Sequence, residues 1–216
     1  MVPLSGKPLT EATFRKGISV VCERDPGLSW VVKTHGPPPM WSREPGFASL
    51  VHIILEQQVS LASARAAFDR LLEAVADLRP TEFLKLNVDQ LRRIGFSRQK
   101  THYCRNLAHA IKEGSLDLVA LEGMDDHRIR EELLAISGIG PWTADIYTLM
   151  ALRRPDVWPT EDLALKVAAQ HLKKLQTRPN AVDLAVIGEG WKPWRSVAAR
   201  ILWHFYLESS PGPATD

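Results

Sequence analysis

The sequence predicts an all-α protein, and three observations support this fold class. Apolar residues recur at the spacing of three to four positions that is typical of amphipathic helices, as Phe14, Ile18 and Val21 do. Strand-like alternation of apolar and polar residues is nearly absent. The 216 residues are 45% hydrophobic and 24% charged, which is ordinary for a folded protein and excludes overall disorder.

Capping residues, prolines and glycines predict where the helices begin and end. Thr10 is a candidate N-cap for the first helix, and the segment 25–27, Asp-Pro-Gly, is expected to end it. The proline-rich segment 36–39 predicts an extended connector. Ser97 suits the cap of a long helix, and Pro141 suits the first position of another. The predicted helices span residues 10–24, 47–57, 61–75, 81–86, 88–94, 97–112, 125–136, 141–152, 160–172 and 193–207.

Composition excludes several classes of protein. The two cysteines, Cys22 and Cys104, are too few for a disulfide scaffold, a four-cysteine zinc site or a four-cysteine iron–sulfur cluster. No apolar run approaches the roughly 18 residues that a membrane span needs, and the first residues show no basic-then-apolar signal pattern. We therefore expect a protein that is not secreted and that contacts no membrane.

Charge is segregated along the chain, although the formal net charge is only +2. Seven basic residues and one acid lie between Lys85 and Lys112, whereas seven acids and two arginines lie between residues 113 and 132. Such segregation can place positive potential on one face, as nucleic-acid binding requires. Ordinary solvated helix faces produce the same pattern, so charge alone does not decide between the two interpretations.

The segment 133–144 has the sequence LLAISGIGPWTA and predicts a helical hairpin. One helix ends, a Gly-Ile-Gly turn follows, and Pro141 opens a second helix. Glycines permit a left-handed backbone and the close approach of another backbone. N–H groups of the turn and of the first helical turn would then face a phosphate at the positive end of the helix. A simple corner between two helices, without any ligand, is the other interpretation.

An acidic pair, Glu161 and Asp162, follows the hairpin. Thr160 is the expected N-cap of the next helix, which would place both acids in its first turn, where the helix dipole favours negative charge. A carboxylate held there could stabilise a developing positive charge. Routine capping is the alternative, with Lys166 forming a surface pair with Asp162.

Four blocks in this order resemble the helix-hairpin-helix DNA glycosylase superfamily and, within it, the alkylation-repair branch of 3-methyladenine DNA glycosylase II (AlkA-like). The blocks are IILEQQVS at 53–60, IGFSRQK at 94–100, the hairpin, and PTEDLALK at 159–166 with WKPWRSVA at 191–198. The resemblance covers most of the chain. It implies two helical subdomains flanking a DNA cleft, namely residues 47–154 with the hairpin and residues 1–46 together with 155–216. It also implies the short form of the family, without an N-terminal β domain.

The resemblance implies an enzyme, a DNA-3-methyladenine glycosylase II-type hydrolase of base excision repair. Such an enzyme hydrolyses the N-glycosidic bond of alkylated purines such as 3-methyladenine and 7-methylguanine, with 1,N6-ethenoadenine and hypoxanthine as further candidates. Its catalytic aspartate would be Asp162, and Glu161 is the candidate if the register differs by one residue. Trp142 stands where bifunctional relatives carry a lysine, so the resemblance implies a monofunctional enzyme that uses water.

The resemblance also implies which residues bind the base, the DNA and a cation. The base pocket would contain Trp142 and Trp203, together with Ile146 and Leu163, which stand where a relative has tyrosines and make the pocket less polar. The DNA-binding residues would be Gly138, Ile139, Gly140 and Thr143 of the hairpin, Gln58, which would fill the space left by the extruded base, and Lys100 and Arg195 as phosphate contacts. The backbone carbonyls of Leu134, Ile136 and Ile139 would hold a monovalent cation, sodium or potassium.

No cofactor is expected for catalysis, and the lack of clustered cysteines departs from the iron–sulfur members of the family. The expected partner is damaged double-stranded DNA, bound by a monomer in the bacterial cytoplasm at the nucleoid or in a eukaryotic nucleus. Two alternatives stay open. One is a non-catalytic DNA-binding module that keeps the hairpin, and it predicts no base release. The other is a protein-interaction domain, and it predicts no salt-dependent DNA binding.

Overall fold

The structure, a computed structural model, describes residues 6–209, and within that range the regular secondary structure is helical, which confirms the all-α class. No helix in this range is both long and apolar enough to cross a membrane. The α-helices are α1 Glu11–Arg24, α2 Pro26–His35, α3 Phe47–Glu56, α4 Leu61–Ala74, α5 Pro80–Phe83, α6 Val88–Ile94, α7 Arg98–Lys112, α8 Asp126–Leu134, α9 Pro141–Met150, α10 Leu163–Leu172, α11 Ala181–Glu189 and α12 Arg195–Ser209.

The described residues divide into two compact units. The central unit, Arg43–Leu152, contains α3 to α9. The split unit combines the described residues up to Ser42 with those from Arg153 onward, and it contains α1, α2 and α10 to α12. The subdomains expected from the sequence, 47–154 and 1–46 with 155–216, place both boundaries a few residues later. Residues 1–5 and 210–216 of that expectation lie outside the described residues.

Local side chains decide where several helices begin. Thr10 caps α1 in a capping box with Thr13, and Ser97 caps α7 by accepting from the backbone N–H of Lys100. Pro141 occupies the first turn of α9. The predicted starts of these three helices are confirmed, because each start depends on a side chain in the same turn.

Three helical segments were missed by the sequence prediction. Asp25 ends α1 as expected, but its side chain also caps α2 by accepting from the N–H groups of Gly27 and Leu28. A proline after such a cap suits the first turn of a helix as well as it suits a stop. The other two missed segments are the 3₁₀ turn Ala120–Gly123 and the nine-residue helix α11.

Helix α12 is the core element of the split unit, and α1, α2 and α10 pack against it. Most of its length is buried, including the guanidinium-bearing Arg200. Arg200 donates to the carbonyls of Met40 and Ser196 and lies over the ring of Phe14 at 5.7 Å, and its burial lowers its pKa. In the central unit α3 packs against α4, α7 and α9, and α8 packs against α9.

A buried carboxylate joins the two separate pieces of the split unit. Asp25 lies between α1 and α2 and is 5% exposed. Its Oδ2 atom accepts hydrogen bonds from Nζ of Lys173 at 2.5 Å and from Nε1 of Trp191 at 2.9 Å. Lys173 follows α10 and Trp191 precedes α12. One side chain therefore ties the N-terminal helices to the C-terminal ones.

The partners of Asp25 control its protonation. Burial raises the pKa of Asp25, but hydrogen bonds from Lys173 and Trp191 and the charge of Lys173 outweigh burial and hold the pKa below its usual range. A carboxyl group with a lowered folded-state pKa contributes stability above its unfolded pKa of about 3.9, and this contribution is lost as pH falls through the folded value. We therefore expect the split unit to lose stability below about pH 4.

Asp25→Asn is expected to lower the free energy of unfolding by roughly 1.5–3 kcal/mol near neutral pH, the range for charge-assisted hydrogen bonds. It should also flatten the loss of stability in acid. Denaturant unfolding at neutral and at acidic pH measures both effects. Glu189→Gln is the control, because Glu189 forms an exposed pair with Lys192 at 2.8 Å and such pairs contribute little. Equal losses in the two variants would contradict the role of Asp25.

Candidate functional site

The structure contains the hairpin that the sequence predicts. Helix α8 ends at Leu134, and the N–H of Ile139 donates to the carbonyl of Ile136 at 3.0 Å, which closes the turn. Gly140, the N-cap of α9, makes no side-chain cap, and the Pro141 that follows it has no N–H. The start of α9 is therefore a positive helix end without a side-chain cap, the kind of helix end that receives anions.

Two neighbours hold Gly138 of this turn in place. Gly138 has a φ of 101°, and a Cβ added to it would lie 2.3 Å from Cγ of Tyr103, so the tyrosine packs directly on the glycine backbone. Nε2 of Gln57 donates to the Gly138 carbonyl at 3.1 Å and to Oγ1 of Thr143 at 2.9 Å. Gln57 thus ties the turn to the start of α9. Sequence reasoning missed both supports. The only available signal was the Gln57-Gln58 pair after α3, and it pointed to the glutamine support alone.

An ion pair joins the two helices of the hairpin. Arg130 of α8 pairs with Asp145 of α9, whose side chain is largely buried. The pair adds a polar link to the packing of α8 on α9. No sequence motif predicted it, because the two residues are 15 positions apart.

Asp162 lies in the split unit and is itself the N-cap of α10. Its Oδ1 atom accepts from the backbone N–H of Leu165 at 2.9 Å and from the indole Nε1 of Trp203 on α12 at 3.0 Å. Asp162 and Trp203 are each 8% exposed. Two N–H donors on one oxygen fix the carboxylate at a helix start, where the dipole favours negative charge.

The prediction that Thr160 caps this helix is wrong. Thr160 and Glu161 lie in a turn, and the helix begins at Leu163 because the Asp162 side chain performs the capping. Lys166 pairs with Glu161 at 2.9 Å, and the Glu161 side chain is 54% exposed. The two neighbouring acids therefore have different surroundings, one in a surface pair and the other against a buried indole.

The four residues predicted for a base pocket are distributed over both units. In the central unit Trp142 and Ile146 are one turn apart on α9, where Trp142 is half-buried and Ile146 is buried. In the split unit Leu163 directly follows Asp162 and is 58% exposed, and Trp203 is bonded to the Asp162 carboxylate. Within the split unit the structure thus brings two predicted pocket residues to the predicted catalytic acid.

The predicted DNA-binding residues of the central unit differ in exposure. Gln58 is exposed and follows the end of α3, and Gly140 of the hairpin is exposed as well. Ile139 and Thr143 are buried, and the Thr143 hydroxyl accepts from Gln57. Contacts of these two hairpin residues with DNA would therefore use backbone groups.

The two basic side chains predicted to contact phosphate are both bound within the protein. Nζ of Lys100 donates to the carbonyl of Leu55 at 2.6 Å. Arg195 forms two hydrogen bonds with the carboxylate of Asp156, at 2.9 and 3.0 Å. Both side chains therefore already bind acceptors within the protein. Their contact with DNA stays a prediction.

The three carbonyls predicted to hold a cation lie at the hairpin turn. Leu134 is the last residue of α8, and the Ile136 carbonyl accepts one hydrogen bond from the N–H of Ile139. A carbonyl oxygen has two lone pairs, so that of Ile136 can accept a further partner. Backbone carbonyl oxygens suit hard cations, and these donors fit the predicted ion in chemistry.

A family model described as HhH-GPD superfamily base excision DNA repair protein matches residues 51–193. The chain belongs to the HhH-GPD superfamily. The matched region of this HhH-GPD protein includes the hairpin and Asp162, whereas Trp203 lies beyond it.

Named relatives and solved structures agree with the family. A Mycobacterium tuberculosis protein named "Probable bifunctional transcriptional activator/DNA repair enzyme AlkA" is 35% identical over 167 residues, which are 71% of this chain and 32% of that protein. A Bacillus halodurans DNA-3-methyladenine glycosidase has a TM-score of 0.72 and 30% identity, covering 91% of this chain and 90% of that one. Schizosaccharomyces pombe 3-methyladenine DNA glycosylase in complex with abasic DNA has a TM-score of 0.73 and 25% identity, covering 82% and 87%.

These matches confirm the expected helix-hairpin-helix glycosylase fold of the alkylation-repair type. The HhH-GPD chain spans less than two thirds of the length of the first curated relatives that it matches.

Gly138→Ala is expected to lower the free energy of unfolding by about 1–3 kcal/mol, because the added Cβ strains a left-handed backbone and overlaps Tyr103. Gly140→Ala is the matched control in the same turn, since no atom lies within 4 Å of its Cβ position and its φ is −90°. Urea unfolding of both variants measures the difference. Equal stabilities would show that Tyr103 does not pack on the turn as described.

Proposed function

We propose that this protein is a monofunctional DNA glycosylase that hydrolyses the N-glycosidic bond of alkylated purines in base excision repair. The observation that carries the proposal is the carboxylate of Asp162, held by the N–H of Leu165 and the indole of Trp203. Capping alone needs only the first of these donors. The names of related proteins, which include several 3-methyladenine glycosylases, support the same substrate class.

The proposed reaction breaks the bond between C1′ of the deoxyribose and the purine nitrogen. The bonding electron pair leaves with the base, and water adds to C1′ and loses a proton. Alkylation at N3 or N7 makes the purine cationic, so the base departs as a neutral molecule without receiving a proton from the protein. Asp162 stabilises the oxocarbenium-like sugar and orients the water, as carboxylates do in glycoside hydrolysis.

The residues proposed to contact the base are Trp142, Trp203, Ile146 and Leu163. Tryptophan faces attract cations by about 0.5–2 kcal/mol per contact, which favours cationic alkylpurines over normal bases. The aliphatic pair adds apolar surface without a hydrogen-bonding group. We infer a substrate range centred on 3-methyladenine and 7-methylguanine, with 1,N6-ethenoadenine and hypoxanthine as further candidates. Damaged bases also leave the stack at a lower free-energy cost than normal ones.

Damaged double-stranded DNA is the proposed partner, bound by a monomer. The start of α9, with Gly138 and Gly140 before it, suits a DNA phosphate because it is a positive helix end without a side-chain cap. Gln58 is proposed to enter the duplex, and Arg195 to contact its backbone. The structure of the S. pombe relative contains abasic DNA, which supports this partner. Such a substrate would place the protein with chromosomal DNA, in the nucleoid or the nucleus.

A sodium or potassium ion is proposed at the carbonyls of Leu134, Ile136 and Ile139, and no cofactor is proposed for catalysis. The ion would supply positive charge beside a phosphate. The hydrogen bond from the N–H of Ile139 to the carbonyl of Ile136 would keep the three carbonyl groups in place. DNA affinity that is unchanged when sodium and potassium are replaced by a bulky organic cation at equal ionic strength would exclude this site.

A non-catalytic DNA-binding module is the second candidate, because the hairpin geometry by itself would serve such a module. This candidate predicts affinity for abasic-site DNA without base release. Binding that shows no dependence on salt, or no binding at all, would exclude both candidates.

Asp162→Asn is expected to reduce release of methylated purines by at least about a hundred-fold, the effect typical of removing one charge-stabilising group. Affinity for abasic-site DNA should remain mostly intact, because asparagine keeps an oxygen that can accept from Leu165 and Trp203. Chromatography of the bases released from methylated DNA and from ethenoadenine duplexes measures the reaction. Gel analysis should show unbroken strands, as a monofunctional enzyme requires.

Glu161→Gln is the matched control, since Glu161 is the exposed neighbour, and it should keep the activity of the unmodified protein. An inactive Glu161→Gln beside an active Asp162→Asn would move the catalytic role to Glu161. Tight binding to abasic-site DNA, without release of any base by the unmodified protein, would favour the non-catalytic module.

A further inference from the structure

The loop that carries Gln58 has an unfavourable backbone conformation. Gln58 is exposed and has a φ of 57°, in the left-handed region that residues with a Cβ rarely adopt. Such a conformation persists where the surrounding contacts hold it, and it often marks a functional position. The contacts of the residues next to Gln58 in the central unit therefore show what maintains this backbone conformation.

Lys100 of α7 supplies the first support. Its Nζ atom donates to the carbonyl of Leu55, three residues before Gln58, at 2.6 Å. Helix α3 ends at Glu56, so this carbonyl belongs to the last turn, whose carbonyls lack helical N–H partners. An ammonium group at this position also complements the negative end of the helix dipole. Lys100 is thus engaged with the end of α3 in the free protein.

Gln57 supplies the second support. It is the C-cap of α3, and its backbone N–H donates to the Ile54 carbonyl at 3.3 Å. Its side-chain amide nitrogen donates to the carbonyl of Gly138 and to the hydroxyl of Thr143. The amide can donate only two hydrogens, and both partners belong to the hairpin. The residue directly before Gln58 is therefore tied to the turn proposed to bind phosphate.

Helix α7 supports both features at once. Lys100 and Tyr103 are three residues apart on α7 and so lie on one face of it. Lys100 holds the end of α3, while Tyr103 packs on Gly138. The hairpin turn and the Gln58 loop are thus fastened to the same rigid helix as well as to each other.

We propose that Gln57 and Lys100 are positioning residues that hold the Gln58 loop in a fixed relation to the hairpin. When the hairpin binds a phosphate, Gln58 is then already placed to fill the space left by an extruded base. This inference rests on the proposed function and deepens it. It assigns Lys100 to the end of α3 instead of to a DNA phosphate.

Binding to an intact duplex and to one with a tetrahydrofuran abasic site, each over a range of salt concentrations, tests the proposal. Lys100→Met and Gln57→Met should each reduce the preference for the abasic duplex roughly ten-fold, the effect of one charge-assisted or two neutral hydrogen bonds. The slope of log affinity against log salt on intact duplex should not change. Gln58→Ala should reduce the preference to a similar extent.

Lys112→Met is the matched control, because it removes the same charge from the exposed far end of α7. It should leave the preference for the abasic duplex unchanged. A salt slope that is smaller by about 0.9 in Lys100→Met, but not in Lys112→Met, would identify Lys100 as a phosphate contact and overturn its positioning role.

A double-mutant cycle separates positioning from general destabilisation. If Gln57 and Lys100 act through Gln58, neither substitution lowers the preference further in a Gln58→Ala background, whereas additive losses there would overturn the proposal. Hydrogen exchange of the free protein supplies a readout that needs no DNA. Lys100→Met should accelerate exchange locally at residues 57–61, and unchanged exchange would overturn the proposal. Hydrogen exchange does not depend on enzymatic activity. Failure of the proposed glycosylase function can therefore be distinguished from failure of the positioning role.

Discussion

In the split unit the indole N–H of Trp203 donates a hydrogen bond to the carboxylate of Asp162, and this bond determines where the proposed catalytic group stands. Burying a carboxylate is unfavourable unless donors satisfy it, and here the start of α10 and the indole supply them. Trp203 belongs to α12, the core helix of the unit. The position of the acid therefore depends on the packing of the whole unit, to which Asp25 contributes by joining its two pieces.

In the central unit, contacts from distant residues likewise fix the hairpin turn. The left-handed Gly138 and the hairpin around it are held by Gln57 from α3, by Tyr103 from α7 and by the ion pair between α8 and α9. Two of these supports come from outside the hairpin and the third joins its own two helices, so the backbone presented at the start of α9 is pre-organised. Pre-organised N–H groups bind an anion without the entropic cost of ordering a loop.

Much of the fold could be predicted because its signals are local. Thr10, Ser97 and Pro141 act within one helical turn of where they stand in the sequence, and the helices that they begin were located correctly. Asp25 misled the prediction because one residue can end one helix through its backbone and cap the next helix through its side chain. Thr160 was the expected cap of the next helix, but Asp162, two residues later, caps it and also accepts the indole N–H of Trp203.

The sequence by itself determined the helical class, the hairpin with its glycines and proline, and the presence of an acidic pair after it, because these features depend on residue type and short spacing. Only the tertiary structure decided how the functional groups are held. Trp203 meets Asp162 across 41 positions, Gln57 meets Gly138 across 81, and Lys100 meets Leu55 across 45. Such pairs form when helices pack, and no local pattern records which distant partner a polar side chain will meet.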